Sequence, residues 1–413
     1  MTIAKSPDAN INVRGRPLGV YIHFPWCVSK CPYCDFFSVA MQSAIPHAEY
    51  ADAVIAEFDS RSAQIAPATI RSLYFGGGTP SLWEPSAVAR VVDHILRAAN
   101  VEANTIEITL ECNPSSFEIE RCAAWREAGI NRLSLGLQSL NPEHLKFLGR
   151  AHDEKEAMRA LRHALNSGIA QVGADLIFGL PAQLPDDAVA QLRQLPLEAL
   201  SHLSVYALTI ERNTPFGALA RAGRLPLAQD DDVASSFFSL HEVLEAAGFE
   251  HYEISNYAKS ACRAVHNTGY WRGDDYLGIG VAAWGTVHRE STNKGRMLDR
   301  FRYRNTTRIA DYLKKAGQSE TLWSPQPLGI LGEHEVIDDP TAFVERLMLG
   351  LRTSDGVDLS GLPSSFEVDV WLAKRKSDID KLVAQKRLVH EGSVLRIPLD
   401  AWFLADGTIA ALI

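Results

Sequence analysis

The chain has 413 residues, 46% of them hydrophobic, 22% charged and 8% aromatic, a composition that excludes disordered, collagen-like and coiled-coil classes. Its 41 basic and 50 acidic side chains give a net charge of −9, which argues against a broad nucleic-acid-binding surface. A single core rarely grows past ~250–300 residues, so the length predicts one large domain and a smaller one.

Residues 1–17 are polar and read as a flexible segment without the apolar stretch of a signal peptide. No apolar run approaches the ~20 residues that span a bilayer, so no transmembrane segment is expected. The implied location is cytoplasmic, where six cysteines stay reduced. Runs rich in Val, Ile, Leu, Tyr and Phe predict strands at 19–24, 71–75, 105–111, 132–137, 173–178 and 202–208. Amphipathic segments between them predict helices at 85–99, 117–128, 154–166 and 231–247. Val88, Val91, Val92, Ile95 and Leu96 recur at helical spacing, and Gly129, Gly168 and Gly248 stand where helix ends favour glycine. Strands alternating with helices imply parallel pairing in an α/β fold, as an open doubly wound sheet or an incomplete barrel. In a barrel, chemistry gathers at the C-terminal strand ends. Cys27, Gly76-Gly77-Gly78, Glu111 and Gln138 fall at those ends, and Asp175 lies within the fifth strand.

Past residue 290 the pattern changes. Residues 296–308 are basic and polar, and 322–339 are rich in Pro, Gly and acidic side chains. Helices are then predicted at 341–351 and 366–385, and a hairpin at 388–397. The expected organisation is a barrel over 18–288 and a smaller α+β unit over 289–413.

Cys27, Cys31 and Cys34 form C-x3-C-x2-C directly after the first strand. Three thiolates this close converge only if the chain loops around something. Zinc would normally take a fourth Cys or His; His23 lies nearby, while Cys112, Cys122 and Cys262 form no matching knuckle. An iron–sulfur cube usually takes four cysteines, so three leave one iron open to an external ligand. Gly76-Gly77-Gly78-Thr79-Pro80 would let backbone approach a ligand or simply make a tight turn. Glu111 needs a polar partner if buried, or caps the next helix.

The loop from Cys27 to Cys34, with Gly76–Pro80 and Glu111, resembles the radical S-adenosylmethionine (SAM) superfamily. The resemblance implies a partial (β/α)6 barrel. It also implies a [4Fe–4S] cluster held by Cys27, Cys31 and Cys34, with exchangeable SAM on the fourth iron. The family's reduced cluster splits SAM into methionine and a 5′-deoxyadenosyl radical. Residues 131–139, 148–152 and 175–181 resemble the subgroup of oxygen-independent coproporphyrinogen III oxidases and HemW-type heme chaperones. By that likeness Tyr21, Gly77 and Glu111 contact the first SAM, with Phe36, Gly78 and Thr79 beside them. Gln138, Arg150 and Asp175 match residues that contact a second SAM in the oxidase.

The two relatives diverge after the third cysteine. The oxidase carries a further cysteine where this chain has Phe36, and the chaperone type reads C-P-x-C-D-F, as here. His266-Asn267-Thr268-Gly269-Tyr270-Trp271 matches the H-N-x-x-Y-W pattern of the chaperones. Imidazole is a common axial ligand of heme iron, which makes His266 the expected heme ligand and Cys262 the alternative. Tyr270 and Trp271 offer flat apolar surface. Ala282-Ala283-Trp284 departs from the subgroup's pattern. The resemblance therefore implies a heme chaperone whose partners are heme, an acceptor protein and an electron donor. The alternative is an oxidase that decarboxylates coproporphyrinogen III.

Overall fold

The computed structural model describes residues 15–114, 121–290, 298–318 and 329–413. Most of the expected N-terminal segment (1–14), the start of the helix expected at 117–128 (117–120) and residues 322–328 lie outside the described residues.

Six parallel strands lie side by side in chain order: β1 (Arg16–Phe24), β2 (Ala68–Gly77), β3 (Glu107–Cys112), β4 (Arg132–Gln138), β5 (Gln171–Phe178) and β6 (His202–Ala207). The crossovers carry α1 (His47–Ser62), α2 (Pro85–Ala99), α3 (Cys122–Glu127), α4 (Pro142–Phe147), α5 (Glu154–Leu165) and α6 (Pro185–Leu192). All six predicted strands are present, and their alternation sorts two faces. On β1, Leu18, Val20, Ile22 and Phe24 are buried in the same core as Val88, Val91, Val92 and Ile95 of α2. Full burial of each such side chain contributes ~1.5–3 kcal/mol. The residues between them, Gly19, Tyr21 and His23, face the interior of the curved sheet, where their ring and close contacts lie. This is the partial (β/α)6 barrel that the sequence predicts.

After β6 come α7 (Pro215–Arg221), α8 (Asp230–Ala246), and the antiparallel strands β7 (Glu250–Glu253) and β8 (Asn256–Ala258) at one sheet edge. The chain then crosses below the barrel through α9 (Val265–Arg272) and returns as β9 (Asp275–Ile279), parallel to β1 on its free side. Three antiparallel strands extend that edge: β10 (Trp284–Glu290), β11 (Leu298–Asn305) and β12 (Leu331–Ile337). The order is β12-β11-β10-β9-β1-β2-β3-β4-β5-β6-β8-β7. Residue 289, where composition places the start of the C-terminal unit, lies inside β10. Strands β11 and β12 occupy tracts that composition alone did not mark as strands.

Beyond them lie α10 (Ile309–Lys315), between β11 and β12, and then α11 (Asp339–Gly350). A three-stranded sheet of β13 (Val357–Asp358), β14 (Val389–Glu391) and β15 (Val394–Arg396) follows, with α12 (Val368–Ala384) and α13 (Ala405–Ala410). The predicted C-terminal helices and hairpin are all there. Among the described residues no helix is long and apolar enough to cross a membrane.

Candidate functional site

Past β1 the chain makes a loop whose two arms pair in parallel, Trp26–Cys27 against Val39–Ala40. The Val39 amide donates to the Pro25 carbonyl (2.8 Å) and the Met41 amide to that of Cys27 (2.9 Å). Inside the loop, Lys30 Nζ donates to the Phe36 carbonyl at 3.1 Å, and the Cys34 amide to that of Cys31 at 3.2 Å. His23 Nε2 lies 2.8 Å from the Phe37 carbonyl. The Phe216 amide of α7 donates to the Pro32 carbonyl (3.0 Å), pinning the far side. Cys27, Cys31 and Cys34 are unpaired and half-buried, and all three line one cavity of about 420 Å³. Burial pushes the Cys34 thiol up to about 11 and raises that of Cys27.

The end of β2 forms the neighbouring wall. Gly77 has φ +111°, and a Cβ there would stand 2.6–2.9 Å from the His23 ring, so only glycine fits. The Gly78 amide donates to the Phe24 carbonyl (2.7 Å) and the Thr79 amide to that of Trp26 (2.8 Å), locking this turn to the cysteine loop. Glu111 closes the wall at the end of β3. Its carboxylate accepts from the Tyr74 hydroxyl at 2.7 Å and the Gly77 amide at 3.3 Å. Burial raises its pKa to about 7, assisted by Asp175, while the Tyr74 and Gly77 bonds work against the shift.

Arg150 spans the cavity lining between β4 and the cysteine loop. It donates to the Gly136 carbonyl (3.0 Å), to Asn113 Oδ1 and to Cys31 Sγ (3.5 Å). Asn113 in turn donates to Thr79 Oγ1 (2.9 Å). Opposite, Ser134 Oγ lies 3.0 Å from both oxygens of Asp175, whose pKa burial raises. Gln138 has φ +65° beside a register shift in the β4–β5 ladder, a strained backbone of the kind found at binding sites. Phe36, 64% exposed, and Tyr206, 40% exposed, stand in the cavity lining.

The structure thus gathers Cys27, Cys31, Cys34, Phe36, Gly77, Gly78, Thr79, Glu111, Gln138, Arg150 and Asp175 into one cavity. Tyr21 and His266 are not in its lining. Tyr21 lies deeper, its hydroxyl 3.0 Å from His23 Nδ1 and its ring stacked on Tyr74. His266 is buried at the barrel floor, with Nδ1 2.8 Å from Ser72 Oγ and Nε2 2.8 Å from the Tyr270 hydroxyl. Both ring nitrogens are therefore taken, and iron ligation would require one bond to give way. Trp284 and Cys262 also lie outside the cavity lining. Sequence reasoning gave no site role to Tyr74, Asn113, Ser134 or Tyr206, and it set Cys112 aside as a metal ligand although that residue also lines the cavity. The period of two on each barrel strand was the available signal: Tyr74, Ser134 and Tyr206 share the interior face with Gly76, Gly136 and Ser204.

Among the described residues no three His, Cys, Asp or Glu side chains converge closely enough to hold a single metal ion. Three soft thiols spread around one cavity fit a larger iron–sulfur group, and the donated bond to Cys31 would offset thiolate charge.

Residues 21–195 match the Radical SAM superfamily, and residues 337–404 match the HemN C-terminal domain. The barrel and its cavity are therefore those of a radical SAM protein, a class that implies a [4Fe–4S] cluster and SAM. The chain is 43% identical to the heme chaperone HemW of Escherichia coli (strain K12) over 272 residues, covering 66% of this chain and 70% of that protein. It is 32% identical to the mouse mitochondrial radical S-adenosyl methionine domain-containing protein 1 over 400 residues, 95% of this chain and 87% of that protein. The solved structure of Escherichia coli coproporphyrinogen III oxidase (HemN), described as a radical SAM enzyme, shares the fold. Its TM-score is 0.77 at 20% identity, over 96% of this chain and 90% of that one. The chain belongs to the HemW family of radical SAM proteins.

Proposed function

We propose that this protein is a heme chaperone built on a radical SAM core, which binds heme and passes it to an acceptor protein. One observation carries the reading. The cavity that gathers three thiols, the Gly77 turn and Glu111 opens beside Cys34-Asp35-Phe36, where the oxidase type would place a fourth cysteine. Membership of a family whose relatives are named heme chaperones supports the same conclusion.

In this reading Cys27, Cys31 and Cys34 hold the cluster, and Glu111 with the Gly77–Thr79 backbone receives SAM. When bound, the pair supplies one-electron reductive chemistry. The chain's own contribution is placement. Arg150 balances charge at Cys31 and ties it to Asn113 and Gly136. The paired loop arms fix the thiols against β1. Glu111, whose pKa burial lifts to about 7, accepts a hydrogen bond from a ribose hydroxyl or ammonium group, and an ammonium beside it favours the carboxylate form. Gln138, Arg150 and Asp175 form the opposite wall, open to a second ligand. The partners are an electron donor for the cluster and a heme acceptor, in the cytoplasm.

The test is anaerobic reconstitution, reduction by dithionite, and addition of SAM with either heme or coproporphyrinogen III. Stoichiometric heme binding without porphyrinogen turnover is expected. Protoporphyrinogen appearing with 5′-deoxyadenosine would overturn the reading in favour of an oxidase that works without the extra cysteine.

A further inference from the structure

Below the cavity, α9 closes the barrel floor, and the hexapeptide His266–Trp271 lies on it. We propose that His266 and Tyr270 are positioning residues of the cavity, holding Glu111 in place through Tyr74, and not ligands to heme iron. The proposal rests on the reading that Glu111 belongs to the SAM site.

The placement of α9 is over-determined. Glu107, the first residue of β3, accepts from the amides of Val265 (2.9 Å) and His266 (3.0 Å), capping the helix with a carboxylate where the macrodipole favours one. Buried Arg132 backs that carboxylate at 3.6 Å and donates to the Cys262 carbonyl at 3.2 Å, fixing the approach to the helix. From this first turn the His266 ring rises into the barrel interior. A Cβ at Gly19 would stand 3.0 Å from its Cε1 and Nδ1, so β1 admits the imidazole only because that position is glycine.

Once inside, the imidazole lies flat on the Tyr74 ring, centroids 4.9 Å apart at 20°. Tyr21 stacks on Tyr74 as well, at 6.1 Å and 25°. Tyr74 is thus supported by two rings, and its hydroxyl donates to Glu111. The Tyr270 hydroxyl, one turn along α9, and Ser72 Oγ hold the imidazole so that it cannot rotate away. The connection runs from the floor helix to the ring stack, to the phenol and to the carboxylate in the cavity. A histidine serving as an exposed metal ligand would present a free nitrogen to the surface, whereas this one is 3% exposed with both nitrogens engaged.

The experiment measures equilibrium SAM binding by anaerobically reconstituted full-length protein, together with the Soret spectrum and stoichiometry of the ferric heme complex. The variants are H266A, H266F, Y74F and the double variant H266A/Y74F, each checked for iron content and melting temperature. H266A and Y74F should each weaken SAM binding about ten-fold, the scale of one hydrogen bond to a charged group. The double variant should be no weaker than the poorer single one, because both act on one link. H266F keeps a flat ring against Tyr74 and should recover most of the affinity, although it has no nitrogen for iron. Heme stoichiometry and the Soret maximum should stay as in the parent throughout.

A Soret shift in both H266A and H266F would overturn the proposal, as would unchanged SAM affinity in H266A, additive losses in the double variant, or an H266F that behaves like H266A. Should H266A fail to fold, H266F and Y74F still decide the question. E111Q distinguishes the SAM site itself from its support by His266. If it leaves SAM binding intact, the assignment of the SAM site fails; if it weakens binding while H266A does not, only the positioning role fails.

Discussion

Glu253, at the end of β7, is fully buried and accepts from the Ser255 amide at 3.1 Å and from the side-chain amide of Asn256. No ion pair with it is found among the described residues, and burial lifts its pKa to about 7. A carboxyl whose pKa is raised on folding favours the native state below the unfolded value and withdraws that support as pH rises through the folded value. Each such shift, in Glu253 and in Glu111, corresponds to roughly 2–3 kcal/mol lost between about pH 5 and pH 8. The apoprotein should therefore unfold at lower denaturant concentration at pH 8 than at pH 5. E253Q should recover a large part of the difference, and an unchanged pH profile in that variant would place the titration elsewhere. The thiols allow an equally direct check. C31S should lose iron and acid-labile sulfide on reconstitution. Cys112 shares the cavity lining, but its sulfur is buried against the core and lies 4.0 Å from the Leu110 carbonyl. C112A should therefore retain the full iron content, and iron loss in C112A with retention in C31S would redraw the ligand set.

At the scale of elements, what could be read in advance follows from which faces are apolar. The six barrel strands are short runs buried among helices, and such runs stand out in any sequence. Strand β11 did not, because Arg300, Arg302 and Arg304 alternate with Phe301 and Tyr303. Averaged over the segment that reads as basic and polar; taken two by two it is a half-buried strand, with Phe301 and Tyr303 in the core. Helix α1 fills a gap in which the strand spacing leaves room for a helix, but its own residues mark it weakly for a related reason. Its inward stripe of Tyr50, Val54, Glu57, Phe58 and Arg61 contains a buried ion pair where a sequence reading expects apolar residues. The cysteine loop, glycine turn and Glu111 were legible as motifs, whereas Tyr74 and Asn113 gain meaning only from partners far along the chain. Helix α9 belongs with these, since its cap is a carboxylate 158 residues upstream of Val265. E107A removes that cap and leaves Arg132 buried without its carboxylate, and should cost roughly 2–4 kcal/mol. Hydrogen exchange should speed up first at the amides of Val265 and His266. Uniform loss of protection across the barrel would instead mark Glu107 as a general core residue.

The whole molecule is held across the β1–β9 boundary by a charged network that no solvent reaches. Glu57 and Arg61 are both 0% exposed and pair at 2.7 Å. Glu57 also accepts from Asn305 Nδ2 (2.8 Å), the Tyr312 hydroxyl (2.7 Å) and the Gly280 amide (2.9 Å). Arg61 donates to Asn305 Oδ1 at 2.6 Å and lies over the Tyr303 ring. One helix of the barrel is thereby tied to β11, to α10 and to the turn after β9. The network also approaches the cysteine loop. Tyr50 donates to the His23 carbonyl (2.5 Å) and receives the Val281 amide (3.1 Å), while the His23 ring reaches the Phe37 carbonyl of that loop. Removing one charge from such a pair strands the other, at a cost of roughly 3–5 kcal/mol, whereas replacing both by apolar groups is often close to neutral. E57Q should therefore lower the denaturation midpoint sharply and speed iron loss from the reconstituted protein. E57Q/R61M should recover much of the midpoint because no unpaired charge remains. Iron retention should recover less, since the neutral pair no longer organises Asn305 and the turn that meets Tyr50. If E57Q keeps its midpoint, or if the double variant is as unstable as the single one, the extension is not electrostatically tied to the barrel. If midpoint and iron retention recover together, the network stabilises the fold without reaching the cysteine loop.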